Sequence, residues 1–378
     1  MKFGQHFRYI VLELLAIFSV LTTMLDSGGE LGLRTFGLLL LGALFWRRPT
    51  FSLSKSMLFG WFVILLLLVP ATMRSAFQGI EIKNIVVWIY PFLSFPLIYL
   101  IAKSSAIAER SFINAGFIFA IIIVLLFVGR ITGNDTLMWL NDILTSKASG
   151  FFNQKQVFFE DAMPVVYFQG TLSLVFVSVL AVGKKCYFRY AVMLLALILA
   201  PSRFGVTVSL VSASTIIFLS LGNPTKQFFA GLSLVAAFFF ALAVLPGSFN
   251  EIFSNESHGS RVRLGHFHSV MNDVDADPTI ALIGAGPGTS FYSEGFDEYT
   301  DNIEISQLEL VRKYGILFFF GLAIFFLVLV TSLWRVGRQY MAVALISQFV
   351  VATSNPVLLS SSFILFLSMA LSEVEDAK

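Results

Sequence analysis

Apolar residues run along this chain in long blocks, interrupted by short clusters of basic residues, glycine or proline. Read between those breakers, the blocks predict twelve membrane spans, at residues 9–25, 31–46, 57–73, 84–102, 112–129, 164–183, 189–201, 204–221, 228–245, 314–333, 339–354 and 357–371. A hydrocarbon core of roughly 30 Å takes about 20 helical residues to cross. The seventh block is short and ends at Pro201, so it reads as tilted, half-inserted or broken. The final pair requires Asn355-Pro356 to be a turn, which leaves a count of eleven open. The fold class is therefore an all-α polytopic membrane protein, a single integral membrane domain over residues 1–378. Two long polar segments, 130–163 and 246–313, interrupt the pattern. Within the second, Ser260 is placed to cap a helix running to Asn272.

Composition agrees. The chain is 57% hydrophobic and 13% charged and contains 42 phenylalanines, against about 45–50% apolar and about 25% charged in soluble domains. Lys2 and Arg8 precede the first block with no small-residue cleavage site after it, so it reads as a retained span. The one cysteine, Cys186, excludes an internal disulfide framework and a multi-cysteine metal site.

Charge placement sets the expected topology. With the N-terminus inside, Arg47, Arg48, Lys55, Lys103, Arg110, Lys184, Lys185, Arg189, Lys226, Arg335 and Arg338 fall in short cytoplasmic loops, as the positive-inside rule requires. The other side receives most of the acids and both long loops. Both termini are then cytoplasmic.

Charges at membrane depth are costly and mark candidate function. Arg203, in "LILAPSRFGVTVSL", stands between two apolar runs with no loop to carry it into water. Its planar fork suits phosphate oxygens; a snorkelling interfacial role stays open beside that. Arg34, Arg74, Lys83 and Arg130 sit near the outer ends of spans and read as interfacial. Arg261 and Arg263, two apart on one helix, point in nearly opposite directions, so at most one faces a given ligand.

His258, His266 and His268 match no metal-binding helical pair. Asp273, Asp275 and Asp277 begin like a calcium loop but meet Pro278 and Gly284 where glycine and glutamate are needed, and read as a solvated acidic turn. "GAGPG", Gly284 to Gly288, lacks the βαβ context of a dinucleotide fingerprint and reads as a tight turn back toward the membrane. Glu309 with Arg312 or Lys313 has the spacing of a structural helix pair.

Four stretches, in order, resemble the bacterial O-antigen polymerase and O-antigen ligase superfamily of polytopic glycosyltransferases. They are "SKASGFFNQKQVFFE", "PSRFGVTVSLV", "SRVRLGHFHSVMNDVDADPTIALIGAGPG" and "EISQLELVRKYGIL". The resemblance implies a GT-C-like membrane enzyme of the bacterial inner membrane, acting at its periplasmic face without a cofactor or metal. The substrates implied are oligosaccharides on undecaprenyl diphosphate, as both donor and acceptor. The implied partners are membrane lipids and a chain-length regulator protein, with no nucleic acid. Carried onto this sequence, Arg203 with Arg263 or Arg261 would stabilise the departing diphosphate, and Lys147, Asn153 and Glu309 would help bind substrate. Lys147 stands where an arginine is common in the family. Ligases of the superfamily place a histidine eleven residues before the last glycine; here that position is Glu304. A carboxylate there favours a polymerase over a ligase, with Glu304 as the base that takes the acceptor's proton. Asp301-x-x-Glu304 also fits a helix capping box, and the two roles are compatible. A transporter of the same lipid-linked glycans is the alternative from another class.

Overall fold

The computed structural model describes residues 2–25, 33–45, 55–104, 109–139, 166, 169–200, 202–221, 258–303, 305–354, 357–358 and 360–377. Among them the helices are α1 (Lys2–Leu25), α2 (Leu33–Phe45), α3 (Lys55–Phe77), α4 (Ile82–Ser104), α5 (Glu109–Thr132), α6 (Ser173–Gly183), α7 (Tyr187–Leu199), α8 (Arg203–Ser220), α9 (His258–Ala276), α10 (Thr279–Ile283), α11 (Ser306–Arg335), α12 (Gln339–Val351) and α13 (Ser361–Asp376). An antiparallel hairpin pairs β1 (Phe291–Ser293) with β2 (Glu298–Thr300). Each predicted span within the described residues overlaps a helix, the sixth from Ser173 and the last from Ser361; the ninth, 228–245, lies outside them. Stretches within α3, α4, α5 and α11 are long and apolar enough to cross a membrane. The protein is an all-α, membrane-embedded chain.

α6 is the axis. Its residues from Ser173 to Val182 are all buried, as expected of a helix that is apolar on every side. It packs against α5, α7, α8 and α12. Its polar atoms are spent locally: Ser178 Oγ pairs with Ser209 Oγ at 2.7 Å, and Ser173 Oγ with Ser362 Oγ at 2.6 Å. Such short hydroxyl contacts tie helices together where no water competes. α3, α4 and α11 instead turn large apolar side chains outward, among them Phe62, Leu66, Leu97, Phe320 and Ile324. In a membrane-embedded bundle those faces meet lipid.

Polar contacts sort the helix ends into two groups. At one end, Glu109 takes Lys184 and the Tyr340 hydroxyl, Arg189 reaches Asn114, Tyr99 reaches Glu375, and Arg338 pairs with Glu373 at 2.8 Å. These residues lie on the connections between α4 and α5, α6 and α7, and α11 and α12, and near the end of α13. The predicted short basic loops described here therefore gather at one end. At the other end, Arg74 at the close of α3 pairs with Asp277, Ser75 donates to the Pro287 carbonyl at 2.8 Å, and Ser306 N donates to the Ala352 carbonyl at 2.9 Å. The long polar segment crowns this second end.

Candidate functional site at the polar end of the bundle

α11 is two helices in sequence. Gly315 breaks it with φ 81° and ψ 168°, a combination open essentially to glycine alone. The first part, Ser306–Tyr314, therefore ends with carbonyls that lack an intrahelical partner. The glycine turn supplies the donors: Ala285 N bonds the Arg312 carbonyl at 2.7 Å, and Gly286 N bonds the Lys313 carbonyl at 3.1 Å. The approach is so close that a Cβ on Gly315 would lie 2.1 Å from the Leu282 carbonyl oxygen. One on Gly284, whose φ is +83°, would lie 2.3 Å from the Lys313 carbonyl oxygen. The turn expected at "GAGPG" is present, and it is the cap of the polar helix.

That helix carries a buried ionic cluster. Arg312, Lys313 and Glu309 are each at most 5% exposed. Arg312 forks onto Glu309 through Nε at 3.0 Å and a terminal nitrogen at 3.1 Å. Its remaining donors go to the Thr289 carbonyl and hydroxyl and to the Asp301 carbonyl at 3.1 Å, and its plane lies over the Phe291 ring. A guanidinium has five N–H donors, and this fork is committed to the protein. Lys313 Nζ meets Glu309 Oε1, which it shares with Arg312, at 2.6 Å and sits over the Trp88 indole of α4. Tyr314 donates its hydroxyl to the Trp88 carbonyl at 2.8 Å. One carboxylate thus serves two cations.

The rest of the crown is pinned around this cluster. His266 of α9 is fully buried, its Nδ1 2.8 Å from Ser293 Oγ. That hydroxyl also accepts from Phe296 N at 3.1 Å. His266 Nε2 is buried without a hydrogen-bond partner among the described residues, and the Phe296 ring lies perpendicular to the imidazole at 4.6 Å. Burial holds the imidazole below its ordinary pKa, Glu309 pulls it up and Arg312 pushes it down. The Asp273 carboxyl is pushed up by burial and drawn back by Arg312. Asp277 is held low by the Thr279 hydroxyl and then by Arg74.

Several expected site residues find their place here. Glu309 is in the cluster, buried and in the structural pairing its spacing predicts. Arg261 is exposed and Arg263 half-buried, so the two do point apart on α9. Arg203 is the first residue of α8, fixed there because Ser202 Oγ caps the helix by accepting from Gly205 N at 3.2 Å. A chain of neighbours places that helix start at the crowned end. Gly205 lies against Leu172, Ser173 meets Ser362, and Leu358 N donates to Ser306 Oγ at 3.4 Å. The side chain of Arg203, and Lys147, Asn153 and Glu304, lie outside the described residues.

Two expectations change. The helix containing Ser260 begins at His258, so Ser260 is inside its first turn and is not the cap. The polar helix begins at Ser306, beyond Asp301-x-x-Glu304, with Ile305 before it and no side-chain cap among the described residues. Asp301 instead turns its carbonyl to Arg312. The helix therefore starts five residues past Asp301, and its first N–H, of Ser306, bonds the Ala352 carbonyl at the end of α12. Sequence reading missed Trp88, Thr289 and the buried His266–Ser293 pair, whose partners are far apart in the chain. No family model matches this chain, and no curated protein does.

Proposed function

We propose that the protein is a periplasmic-face glycosyltransferase that polymerises oligosaccharide repeat units carried on undecaprenyl diphosphate. It would reside in the bacterial inner membrane, through twelve spans or eleven, with both termini cytoplasmic and the crowned end in the periplasm. In the step, a hydroxyl of the acceptor's terminal sugar attacks the donor's anomeric carbon, the bond to the lipid diphosphate breaks, and the acceptor's proton passes to Glu304. Arg203 and one of Arg263 and Arg261 neutralise the departing diphosphate, a task for preorganised cations. Lys147 and Asn153 would hold the sugars. Glu309 sets the helix that follows Glu304 and touches no substrate.

The observation that carries this reading is one-sidedness. The Arg203 helix start, the arginine-bearing α9 and the polar helix that follows Glu304 all meet at one end of the bundle. A transporter binds its cargo near the bilayer midplane. A ligase of the resembled superfamily would carry histidine at position 304. The test supplies purified protein with lipid-linked repeat units in one tube, and with those units plus a lipid A core acceptor in another. A ladder of products in the first supports polymerisation. Single transfer to the core alone overturns it in favour of a ligase, and no transfer in either tube removes both.

A further inference from the structure

α5 and α7 both begin at the end of the bundle opposite the crown and pack side by side. The approach is close: a Cβ on Gly116 of α5 would meet the Met193 methyl of α7 at 3.5 Å. One buried acid draws their first turns together. Glu109 takes Lys184 from the turn between α6 and α7, which sets that turn against the start of α5. Glu373 and Glu375 at the same end are taken too, by Arg338 and Tyr99. Three cations are left over. Arg110 and Lys185 flank the Glu109–Lys184 pair in the chain; both are exposed and have no ion-pair or hydrogen-bond partner among the described residues. Arg189 gives an N–H to Asn114 of α5 and stands over the Phe117 ring at 5.9 Å. A guanidinium has five N–H donors, so most of this fork is uncommitted. Arg110 lies one helical turn before Asn114 and shares its face. The two guanidinium groups therefore come to one side of the α5–α7 pair, and neither is paired with a carboxylate among the described residues.

Deeper along the helices the pair is apolar and open. Phe188 packs its ring on Phe117 with centroids 6.0 Å apart and is itself mostly exposed. Ile118 and Leu125 follow on α5, Leu195 and Ile198 on α7, each between 38% and 48% exposed. From Phe188 to Ile198 the stripe runs about 15 Å at 1.5 Å per residue, half of a hydrocarbon core of roughly 30 Å. It is one leaflet deep. Unneutralised cations above such a stripe complement a molecule that joins an anionic head to acyl chains. Arginine forks fit phosphate oxygens, and basic pockets between membrane helices take phospholipid heads. A free phosphate ion would leave the stripe unused, and a choline head would bring a positive charge to three others.

We propose that the start of the α5–α7 pair binds one anionic glycerophospholipid, its phosphate held between Arg110 and Arg189 with Lys185 at the rim and its acyl chains along the two apolar stripes. The phosphate removes the repulsion between the neighbouring cations and ties α5 to α7 where Glu109 and Lys184 already join. The site lies at the opposite end of the bundle from the Arg203 helix start and the crown, and it stands whichever reaction the crown performs.

The test is native mass spectrometry of the full chain in detergent, titrated with phosphatidylglycerol or with phosphatidylcholine of the same acyl chains, alongside melting temperature. One phosphatidylglycerol per chain is expected to stay bound, about tenfold or more tightly than phosphatidylcholine, and to raise the melting temperature. Arg110→Gln should weaken that retention about tenfold or more, the size of one lost charge-assisted hydrogen bond. Arg110 has no protein partner to lose, so the fold stands in this variant. Arg189→Gln should weaken retention in the same way. Arg335→Gln is the control: Arg335 is also exposed at this end, but it closes α11, which packs on α3, α10, α12 and α13 instead. It should leave retention unchanged. An equal loss in Arg335→Gln would reduce the site to diffuse attraction toward a positive end and overturn the proposal. Equal retention of phosphatidylcholine, full retention in Arg110→Gln, or displacement of the lipid by inorganic phosphate would each overturn it as well. None of these results bears on the polymerase reading, whose residues belong to the other end.

Discussion

At the scale of single residues, Glu309 is the point on which the crown balances. Glu309→Gln keeps the shape but leaves Arg312 and Lys313 both buried without the carboxylate that pairs them, a loss of about 3–5 kcal/mol. Lys313→Met leaves the Glu309–Arg312 fork intact and neutral, so it should cost no more than about 1 kcal/mol, which matches a volume-conserving swap. Unfolding in detergent followed by tryptophan fluorescence separates the two; equal losses would mean that charge balance is not what Glu309 provides. Glu304 is probed by activity instead. The polar helix begins at Ser306, beyond Asp301-x-x-Glu304, and as a lost general base Glu304→Gln should lower single-turnover transfer by at least about 10². A rate within a few-fold of wild type would take the base away from Glu304. His266 makes a prediction in pH. Burial depresses its folded pKa below 6.5, so the unfolded chain takes up the proton first as pH falls. Stability contributed by the neutral imidazole is therefore whole above about pH 6.5 and declines below it. His266→Gln should flatten the decline in melting temperature between about pH 7 and 5 that wild type shows. An unchanged slope would assign the decline to the crown's carboxylates.

At the scale of elements, the glycine turn and the polar helix are one device. Each supplies what the other lacks: the helix end offers bare carbonyls, and the turn offers backbone N–H groups. Gly315→Ala must place a Cβ against the Leu282 carbonyl while holding φ at +81°, and strain of that kind costs on the order of 1–3 kcal/mol before the clash is counted. Gly337→Ala is the control: its φ is +76° with nothing within 4 Å of the new Cβ, and it should lose only about 1 kcal/mol. Similar melting temperatures for the two variants would show that the interlock is not what stabilises this end. This is also where legibility in the sequence ends. The turn at Gly284–Gly288 and the Glu309 pairing follow from local rules of glycine geometry and helix spacing, whereas the break at Gly315 does not show in the apolar pattern. That the turn caps the helix, that Trp88 covers Lys313, and that Ser260 is internal to its helix depend on contacts between distant segments. Local pattern carries no record of those. The capping box was misleading for the same reason, since the helix starts at Ser306, where its first N–H meets Ala352 of a distant segment.

At the scale of the whole molecule, the two sets of helix ends make topology testable in a way that charge counting alone does not. Cys186 sits at the turn between α6 and α7, beside Lys184 and near Arg189, with the ion pairs that join Glu109, Lys184, Arg338 and Glu373 at the same end. Tyr299 lies on the hairpin of the crown and is 75% exposed. The two positions are at opposite ends of the bundle, so a reagent that cannot cross the membrane should reach one and not the other. Wild type tests Cys186, and Cys186→Ser combined with Tyr299→Cys tests the crown. With basic loops retained in the cytoplasm, impermeant maleimide added to spheroplasts should label position 299 readily and leave Cys186 unlabelled until the membrane is permeabilised. The reverse pattern would keep the two-ended bundle and invert its orientation, which would place the polar crown in the cytoplasm and end the periplasmic polymerase reading. Labelling of both positions in intact spheroplasts would break the separation of ends itself, because no single bilayer could then lie between the Glu109–Lys184 pair and the hairpin.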